Sequence, residues 1–402
     1  MNTLPETLPA ADWRARDGLE RLCDALGAAT GEARYVGGAV RDGLLGIAVK
    51  DVDIATVHLP EEVVRRVKAA GFKAVPTGIA HGTITAVLDG WPVEITTLRR
   101  DVSTDGRRAT VAFGTDWRAD AARRDFTMNA LYADPATGAL TDYFGGLTDL
   151  AEGHVRFIGD PHARIAEDHL RILRYFRFTA RFGVLDRDAA DYAACVTHAT
   201  SLMALSRERI ADELLKLLGL PDPGAVVAAM IEDGVLASVL PEIDAAGALR
   251  MQALIVAEAQ AGIAPDGLRR LAALLPCDGA LAEQVGARLR LSNKARTRLQ
   301  KALTPVEAEN PQALAYRIGA QGAADQILLG LAPGDAAAIA GWEAPRLPLS
   351  GGDLIGMGLP AGPLVAKTLQ ALEKQWVAAG FPDRDTLRAQ AQIMVASLRS
   401  SQ

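Results

Sequence analysis

Three carboxylates in the first hundred residues stand where strand geometry would bring them to one face. In DVDIAT, residues 51–56, side chains two apart share a side, so Asp51 and Asp53 project together while Val52 and Ile54 face a core. In VEITTL, residues 93–98, Val93, Ile95 and Thr97 share the buried side and Glu94 takes the other. If both strands lie in one sheet with their apolar faces aligned, Glu94 joins the two aspartates. Three such charges repel unless cations neutralise them, and hard oxygen donors of this kind suit Mg²⁺ that keeps some of its water. Upstream, GGAVRD places Gly37 and Gly38 before a helical run. Glycine lets backbone N–H groups approach a phosphate closely, and a helix start favours negative charge. Arg41, in that first turn, offers a charge-assisted contact to a triphosphate. Taken singly, each signal also fits a surface turn beside an acidic strand end.

The elements that must position these groups alternate in the first 150 residues. ARYVGG is a short apolar run ending in a turn, and AVRDGLLG continues as a helix. LPEEVVRRVKAAG reads as an amphipathic helix with Pro60 near its start. ITAVLDGWPVEITTL reads as a hairpin turning at Asp89-Gly90. From about residue 155 strand signals nearly vanish, and Ala/Leu-rich helical runs break at PDPG (221–224), LPE (240–242), APDG (264–267) and LAPGD (331–335). The fold class expected is α+β, a head with a mixed sheet and helices followed by a long all-helical region. At 402 residues the chain can build two or three cores. With 49% hydrophobic and 23% charged residues it is globular rather than disordered.

No apolar run reaches the roughly 18 to 20 residues that span a bilayer, and the opening MNTLPETLPAADWRARDG has no apolar signal core. Cys23, Cys195 and Cys277 lie far apart without ligand spacing, which suits a reducing compartment and excludes a cysteine-based zinc site. A cytoplasmic protein with no membrane partner is expected. The net charge of −6 argues mildly against nucleic acid, although local patches decide binding. His81, His162, His169 and His198 receive no role.

In that order along the chain, GGAVRD, DVDIAT, VEITT, ARRDFTMNAL and DYFGGLTDL resemble the head of the class II tRNA nucleotidyltransferases and bacterial poly(A) polymerases. The likeness continues through EDHLRILRYFRFTARFG (167–183) and RERIADELLKLL (207–218), and thins in LRLSNKARTRL and SGGDLIGMGLPAGP. The resemblance implies a nucleotidyltransferase head at 1–155, a helical neck reading the base at 156–220, and an RNA-binding body and tail at 221–330 and 331–402. It implies catalytic carboxylates at Asp51, Asp53 and Glu94, with Asp51 and Asp53 as ligands of a two-metal Mg²⁺ site. In that family the 3′-hydroxyl of an RNA attacks the α-phosphate of a nucleoside triphosphate and pyrophosphate leaves. One metal lowers the pKa of the hydroxyl and the second steadies the triphosphate. Positioning and charge neutralisation suffice without a protein nucleophile, and no nucleophile motif stands out. Arg123-Arg124-Asp125 precedes FTMNALY, which reads as helical and packed, and the resemblance assigns Arg124 to the incoming nucleotide, beside Gly37, Gly38 and Arg41.

EDHLRILRYFR reads as one helix on which Asp168, Arg171, Arg174 and Arg177 recur every three residues, with Leu170, Leu173 and Phe176 toward a core. Alone, the pattern would pair Glu167 with Arg171 at i,i+4. The family pattern implies a base reader. Cytosine and adenine each present an amino donor beside a ring-nitrogen acceptor, while uracil and guanine reverse that order. Asp168 would accept from the amino group and Arg171 donate to the ring nitrogen, with Arg174 and Arg177 orienting the pair or touching phosphate. The polar stretch TLRRDVSTDGRRATVAFGTDWRAD, with Arg107 and Arg108 beside Asp105, reads as a loop. In the family a loop here accompanies complete CCA addition, and the chain's end, DTLRAQAQIMVASLRSSQ, lacks the strongly basic tail of a poly(A) polymerase. The activity expected is template-independent addition of C, C and A to tRNA 3′ ends from CTP and ATP, with poly(A) addition or partial CC or A addition as alternatives. Arg288, Arg290, Lys294, Arg296, Arg298 and Lys301 crowd RLRLSNKARTRLQK with no acid among them, a solvated face or a phosphate-binding one. GGDLIGMGLPAGP with Lys367 offers a second turn for RNA backbone. The oligomeric state is open, and a monomer is compatible. A non-catalytic RNA-binding protein would be expected to have lost the carboxylates. A small-molecule nucleotidyltransferase would need neither the Asp168–Arg171 reader nor the helical body.

Overall fold

Short runs of alternating burial, joined by helical ones, build a seven-stranded sheet in the computed structural model, which describes residues 4–105, 108–308 and 310–400. Its strands are β1 (Ala33–Val36), β2 (Val52–Thr56), β3 (Lys73–Gly78), β4 (Thr83–Leu88), β5 (Trp91–Thr97), β8 (Leu131–Ala133) and β9 (Leu140–Asp142), in the order β3-β4-β5-β2-β1-β8-β9. Only β2 and β5 pair in parallel. The crossover between them runs through α3 (Pro60–Ala69), which starts on a proline and has Glu61 and Glu62 in its first turn. The β4–β5 hairpin turns at Asp89 and Gly90, both with positive φ, as the Asp-Gly pair predicts.

The same unit holds α1 (Leu19–Ala25), α2 (Gly38–Leu44), α4 (Trp117–Ala122), α5 (Gly146–Glu152), α6 (Pro161–Glu167), α7 (Leu170–Phe182), α8 (Ala190–Thr197) and α9 (Arg207–Leu218). Among the described residues no strand follows β9, as the fading strand signal leads one to expect. The chain groups into two compact units, Met1–Leu217 with Ala225–Pro241, and Leu218–Gly224 with Glu242–Gln402.

Three local readings are corrected. The stretch taken as a polar loop forms an antiparallel ribbon, β6 (Arg99–Asp105) with β7 (Arg108–Phe113), because Val102, Thr104, Thr110 and Val111 favour strand over loop. Gly106 and Arg107, between the two strands in sequence, lie outside the described residues. FTMNALY is not a helix. α4 ends at Ala122, Phe126 is extended and bridges Phe157, Thr127–Asn129 make one 3-10 turn, and Leu131 opens β8. Side-chain partners outweigh helix propensity here, since Thr127 Oγ1 donates to Asp149 at 2.5 Å and Phe126 packs 5.1 Å from Phe178. EDHLRILRYFR is broken at Asp168, which is extended (φ −153°) and whose Oδ1 accepts from the Leu170 amide at the start of α7. The Asp168–Arg177 stripe is therefore not continuous.

The second unit is helical, and its centre is ionic. Glu258, on the helix Ala245–Ala261, takes Arg269 at 2.7 Å and Arg270 at 2.8 Å. Asp325, on the helix Ala320–Leu329, takes Arg298 at 2.7 Å and Arg269 at 3.4 Å, and Arg298 reaches Asp266 at 2.9 Å. Three acids balance three arginines, and Asp325 is wholly buried. Removing one partner leaves buried charge unmatched, so Asp325→Ala is expected to cost about 3–5 kcal/mol of stability. A urea titration of that variant should show a much lower midpoint, and an unchanged midpoint would mean that the cluster contributes no stability.

Candidate active site

β1 ends at Val36, and Gly37 turns the chain into α2 with φ +68°, a conformation that side chains with a Cβ avoid. The Gly37 amide donates to the Leu131 carbonyl at 3.1 Å, which ties the turn to β8. A Cβ at Gly37 would stand 3.3 Å from Arg124 Nη1, and one at Gly38 would stand 3.7 Å from Arg41 Nη2. Bare backbone thus faces two guanidinium groups. The Arg124 Nε–H is buried and has no hydrogen-bond partner among the described residues, a donor left over for an anion.

The parallel β2–β5 register sets Asp53 opposite Glu94. Val52 and Ile54, like Val93 and Ile95, are buried on the other face, so the face parity read from sequence holds. Asp51 precedes β2 in an exposed bend. Burial and then the Glu94 charge push the Asp53 carboxyl up to about 6, with Arg124 opposing and Asp51 adding. Among the described residues no ion pair engages that carboxylate directly, as expected of a cation ligand. Among the described residues no three His, Cys, Asp or Glu side chains gather tightly enough to hold a metal alone. Mg²⁺ needs only one or two carboxylates beside substrate phosphates and water, and this donor set fits it.

Asp53 lines a cleft of about 380 Å³ together with Gly37, Gly38, Arg41, Arg124, Asp168, Arg171 and Arg174. Eight residues expected at the site therefore share one cavity, while Asp51 and Glu94 flank Asp53 outside its lining. Arg177 is not brought there. Its guanidinium pairs with Glu213 at 2.5 Å and lies 4.7 Å from the Phe178 ring, so its expected contact with base or phosphate is replaced by a structural one. Arg41 is more enclosed than a surface ligand. It pairs with Asp42 at 2.6 Å, donates to Asn129 at 2.5 Å and lies over Phe182 at 4.2 Å, and burial lowers its pKa against the pull of Asp42.

Toward the base-reading side, Arg171 does pair with Glu167 at 2.6 Å, the i,i+4 contact that the spacing predicts, and it also donates to the Arg164 carbonyl at 2.7 Å. Asp168 is held by Arg209 at 2.7 Å rather than by Arg171. Asp125, Asn129 and Asp120 were not singled out in sequence. Burial would raise the Asp125 carboxyl, but Arg174 at 2.5 Å and the Asn129 amide at 2.9 Å hold it at about 2. Asp120 accepts from Tyr132 at 2.7 Å and Arg123 at 2.8 Å, and pairs with Arg124 at 3.3 Å. Its i,i+3 and i,i+4 spacing to both arginines is the signal that could have found it.

In the second unit the basic run does not form a uniform cationic strip. Arg288 pairs with Glu242 at 2.6 Å, Arg296 with Glu283, and Arg298 with Asp325 and Asp266. The acids missing from the run itself come from elsewhere in the unit: Glu242 from a turn, Asp266 from a helix N-cap, and Glu283 and Asp325 from helices. Arg290, Lys294 and Lys301 are exposed. Lys367 is also exposed, and the stretch expected as a turn opens instead with a helix, Gly351–Gly356, whose start is capped by Ser350 and Asp353.

Residues 33–156 match the family model described as the Poly A polymerase head domain, and residues 191–246 match that for the probable RNA and SrmB-binding site of polymerase A. The mouse mitochondrial CCA tRNA nucleotidyltransferase 1 is 34% identical over 399 residues, spanning 91% of this chain and 87% of that protein. The CCA-adding enzyme of Streptococcus pyogenes (serotype M2) is 43% identical over 202 residues, covering 50% of this chain and 49% of its own length. The crystal structure of the Bacillus stearothermophilus CCA-adding enzyme in complex with CTP superposes with a TM-score of 0.73 at 27% identity, over 96% of this chain and 100% of the other. The Thermotoga maritima CCA-adding enzyme complexed with tRNA shares the fold, with a TM-score of 0.69 at 21% identity over 99% and 100% of the two chains. Among the described residues no helix is long and apolar enough to cross a membrane. With a relative of this identity matched along nearly its whole length, and the head motifs folded around one cleft, the chain belongs to the class II CCA-adding tRNA nucleotidyltransferase family.

Proposed function

We propose that this protein adds C, C and A to the 3′ end of tRNA from CTP and ATP, without a template. The observation that carries the reading is that Asp53 and the Asp168–Arg171 pair line one cleft. A single bound nucleotide can therefore present its α-phosphate to the carboxylates and its base to the reader. The glycine turn with Arg124 binds the triphosphate, and Arg41, which lines the same cleft, stands beside that turn. Asp168 accepts from the amino group of cytosine or adenine while Arg171 donates to the ring nitrogen. To do so Arg171 keeps Nη1 on Glu167 and the Arg164 carbonyl and turns Nη2 from its 3.4 Å contact with the Arg123 carbonyl toward the base. Arg174 reaches the nucleotide through its pairing with Asp125. Mg²⁺ held by Asp51 and Asp53 would supply the Lewis acid that activates the tRNA 3′-hydroxyl and steadies the departing pyrophosphate. Glu94 adds the charge that keeps Asp53 dependent on a cation. The head is assigned to 1–155, the base-reading neck to 156–220, and tRNA binding to the body and tail at 221–330 and 331–402, through Arg290, Lys294 and Lys301 among others.

Incubation with tRNA ending at the discriminator base, and with each labelled triphosphate alone and in combination, tests the reading. Growth by three nucleotides that needs both CTP and ATP is the expected result. An unbounded A tail would establish poly(A) addition instead, and arrest after two C residues would establish partial addition. Cytoplasmic residence is our reading from the three free cysteines. The mouse relative is named as mitochondrial, so fractionation of the source cells decides it.

A further inference from the structure

Six side chains around the cleft close into a ring. Arg174 donates to Asp125 Oδ2 (2.5 Å), Asn129 Nδ2 to Asp125 Oδ1 (2.9 Å) and Arg41 Nη1 to Asn129 Oδ1 (2.5 Å). Arg41 Nη2 reaches Asp42 Oδ1 (2.6 Å), and Asp42 Oδ2 accepts from Arg181 Nη2 (3.3 Å). Arg174 and Arg181 stand seven residues apart on α7, which puts them on one face and closes the circuit through that helix. Asn129 is the only uncharged member and is buried. Arginine only donates and an ionised carboxylate only accepts, so Asn129 alone can take a hydrogen bond from Arg41 and pass one to Asp125. Its backbone carbonyl also lies 3.6 Å from where a Cβ on Gly37 would be. Neither Asp, which cannot donate when ionised, nor Leu could fill both roles.

We propose that Asn129 is a positioning residue, which holds the phosphate side of the cleft (Arg41 and the glycine turn) and the base side (Asp125 with Arg174) in one fixed geometry. It touches no reacting atom. Because Arg41, Asp125, Asn129 and Arg174 of the ring line the cleft at both ends and none of them is the base reader, its loss displaces CTP and ATP equally and leaves the choice between bases to Asp168 and Arg171. This inference rests on the nucleotide-adding reading above.

The test uses the full chain with a tRNA primer and the variants Asn129→Asp, Asp125→Asn and their double. Asn129→Asp keeps the acceptor for Arg41 and sets a second carboxylate against Asp125. We expect kcat/KM for CTP and for ATP to fall by a common factor, on the order of 10 to 100, with preference for C over U within about twofold of the wild type. The double variant exchanges donor and acceptor between the two positions at unchanged charge. Its activity should exceed the product of the two single effects by about fivefold or more, the mark of direct coupling. An Asn129→Asp rate within twofold of wild type, or single effects that simply multiply, overturns the proposal. If a melting curve shows that Asn129→Asp is unfolded, Asn129→Ala takes its place with the same common-factor loss expected. Calorimetric titration with CTP alone gives a readout independent of tRNA. A wild-type protein that binds CTP but adds nothing would sink the functional reading, and CTP affinity unchanged by Asn129→Asp would then sink this inference as well.

Discussion

Asp53→Asn is expected to abolish nucleotide addition and, in the absence of divalent cations, to raise the melting temperature of the protein. Both effects follow from one carboxylate. In the folded chain burial and the neighbouring Glu94 push its pKa up to about 6 from the ordinary 3.8. The folded state then binds the Asp53 proton more tightly than the unfolded state does, so this group's contribution to stability falls as pH rises from about 4 through 6. Above pH 6 the full cost is present, about 2–3 kcal/mol from a shift of this size. Asparagine keeps the shape and removes the charge. At pH 7.5 the variant should melt higher by on the order of 5 °C. The gain should shrink as pH is lowered through 6 and vanish below about 4. Mg²⁺ should raise the wild type toward the variant and leave the variant itself little changed. Addition should drop by about a thousandfold or more, since metal-assisted charge neutralisation is worth several kcal/mol, with tRNA affinity held within about twofold. Turnover near the wild-type rate, or a lower melting temperature at pH 7.5 without metal, would remove Asp53 from the site.

Changing Asp168 is expected to have the next largest effect, on choice rather than on chemistry. Asp168 Oδ2 faces Arg209 and Oδ1 the Leu170 amide, both donors, so the carboxylate is fixed as an acceptor at the head of α7. Asparagine in its place can turn an N–H toward the base and accommodate the carbonyl of uracil. A mismatched buried pair costs about 1–3 kcal/mol. Asp168→Asn should therefore reduce the preference for CTP over UTP by about 10- to 100-fold while the triphosphate cradle stays intact. Single-nucleotide incorporation with CTP and UTP in parallel measures that ratio. A ratio within twofold of the wild type would place base reading elsewhere in the cleft.

Much of the head is legible because its signals are local. The alternation in DVDIAT and VEITT fixes which residues share a face, and the parallel register then brings Asp53 opposite Glu94 without further information. Asp89-Gly90 declares its own turn. What the sequence conceals is carried by partners far along the chain. Arg177 looks available until Glu213, 36 residues on, takes it. Arg288, Arg296 and Arg298 read as a basic patch until acids at 242, 283, 266 and 325, all outside the run, pair with them. FTMNALY has helix-forming residues, but Thr127, Asn129 and Phe126 each find a stronger tertiary partner. Asp168 breaks its helix because its carboxylate caps α7 instead of continuing α6. The base-reading role proposed for Asp168 and Arg171 came only from family likeness, since spacing alone favoured the Glu167–Arg171 pair, which forms.

The β2–β5 pairing has a further consequence for the life of the protein in a cell. Glu94 alternates with Val93 and Ile95, and Asp53 with Val52 and Ile54. A slip of one residue between these strands would turn Glu94 into the core and set two apolar side chains in water. Any chain that lost its catalytic register would lose its fold at the same moment. Such molecules would be unfolded enough for proteases to clear. Folded copies with slipped strands are thereby kept scarce by the sheet itself.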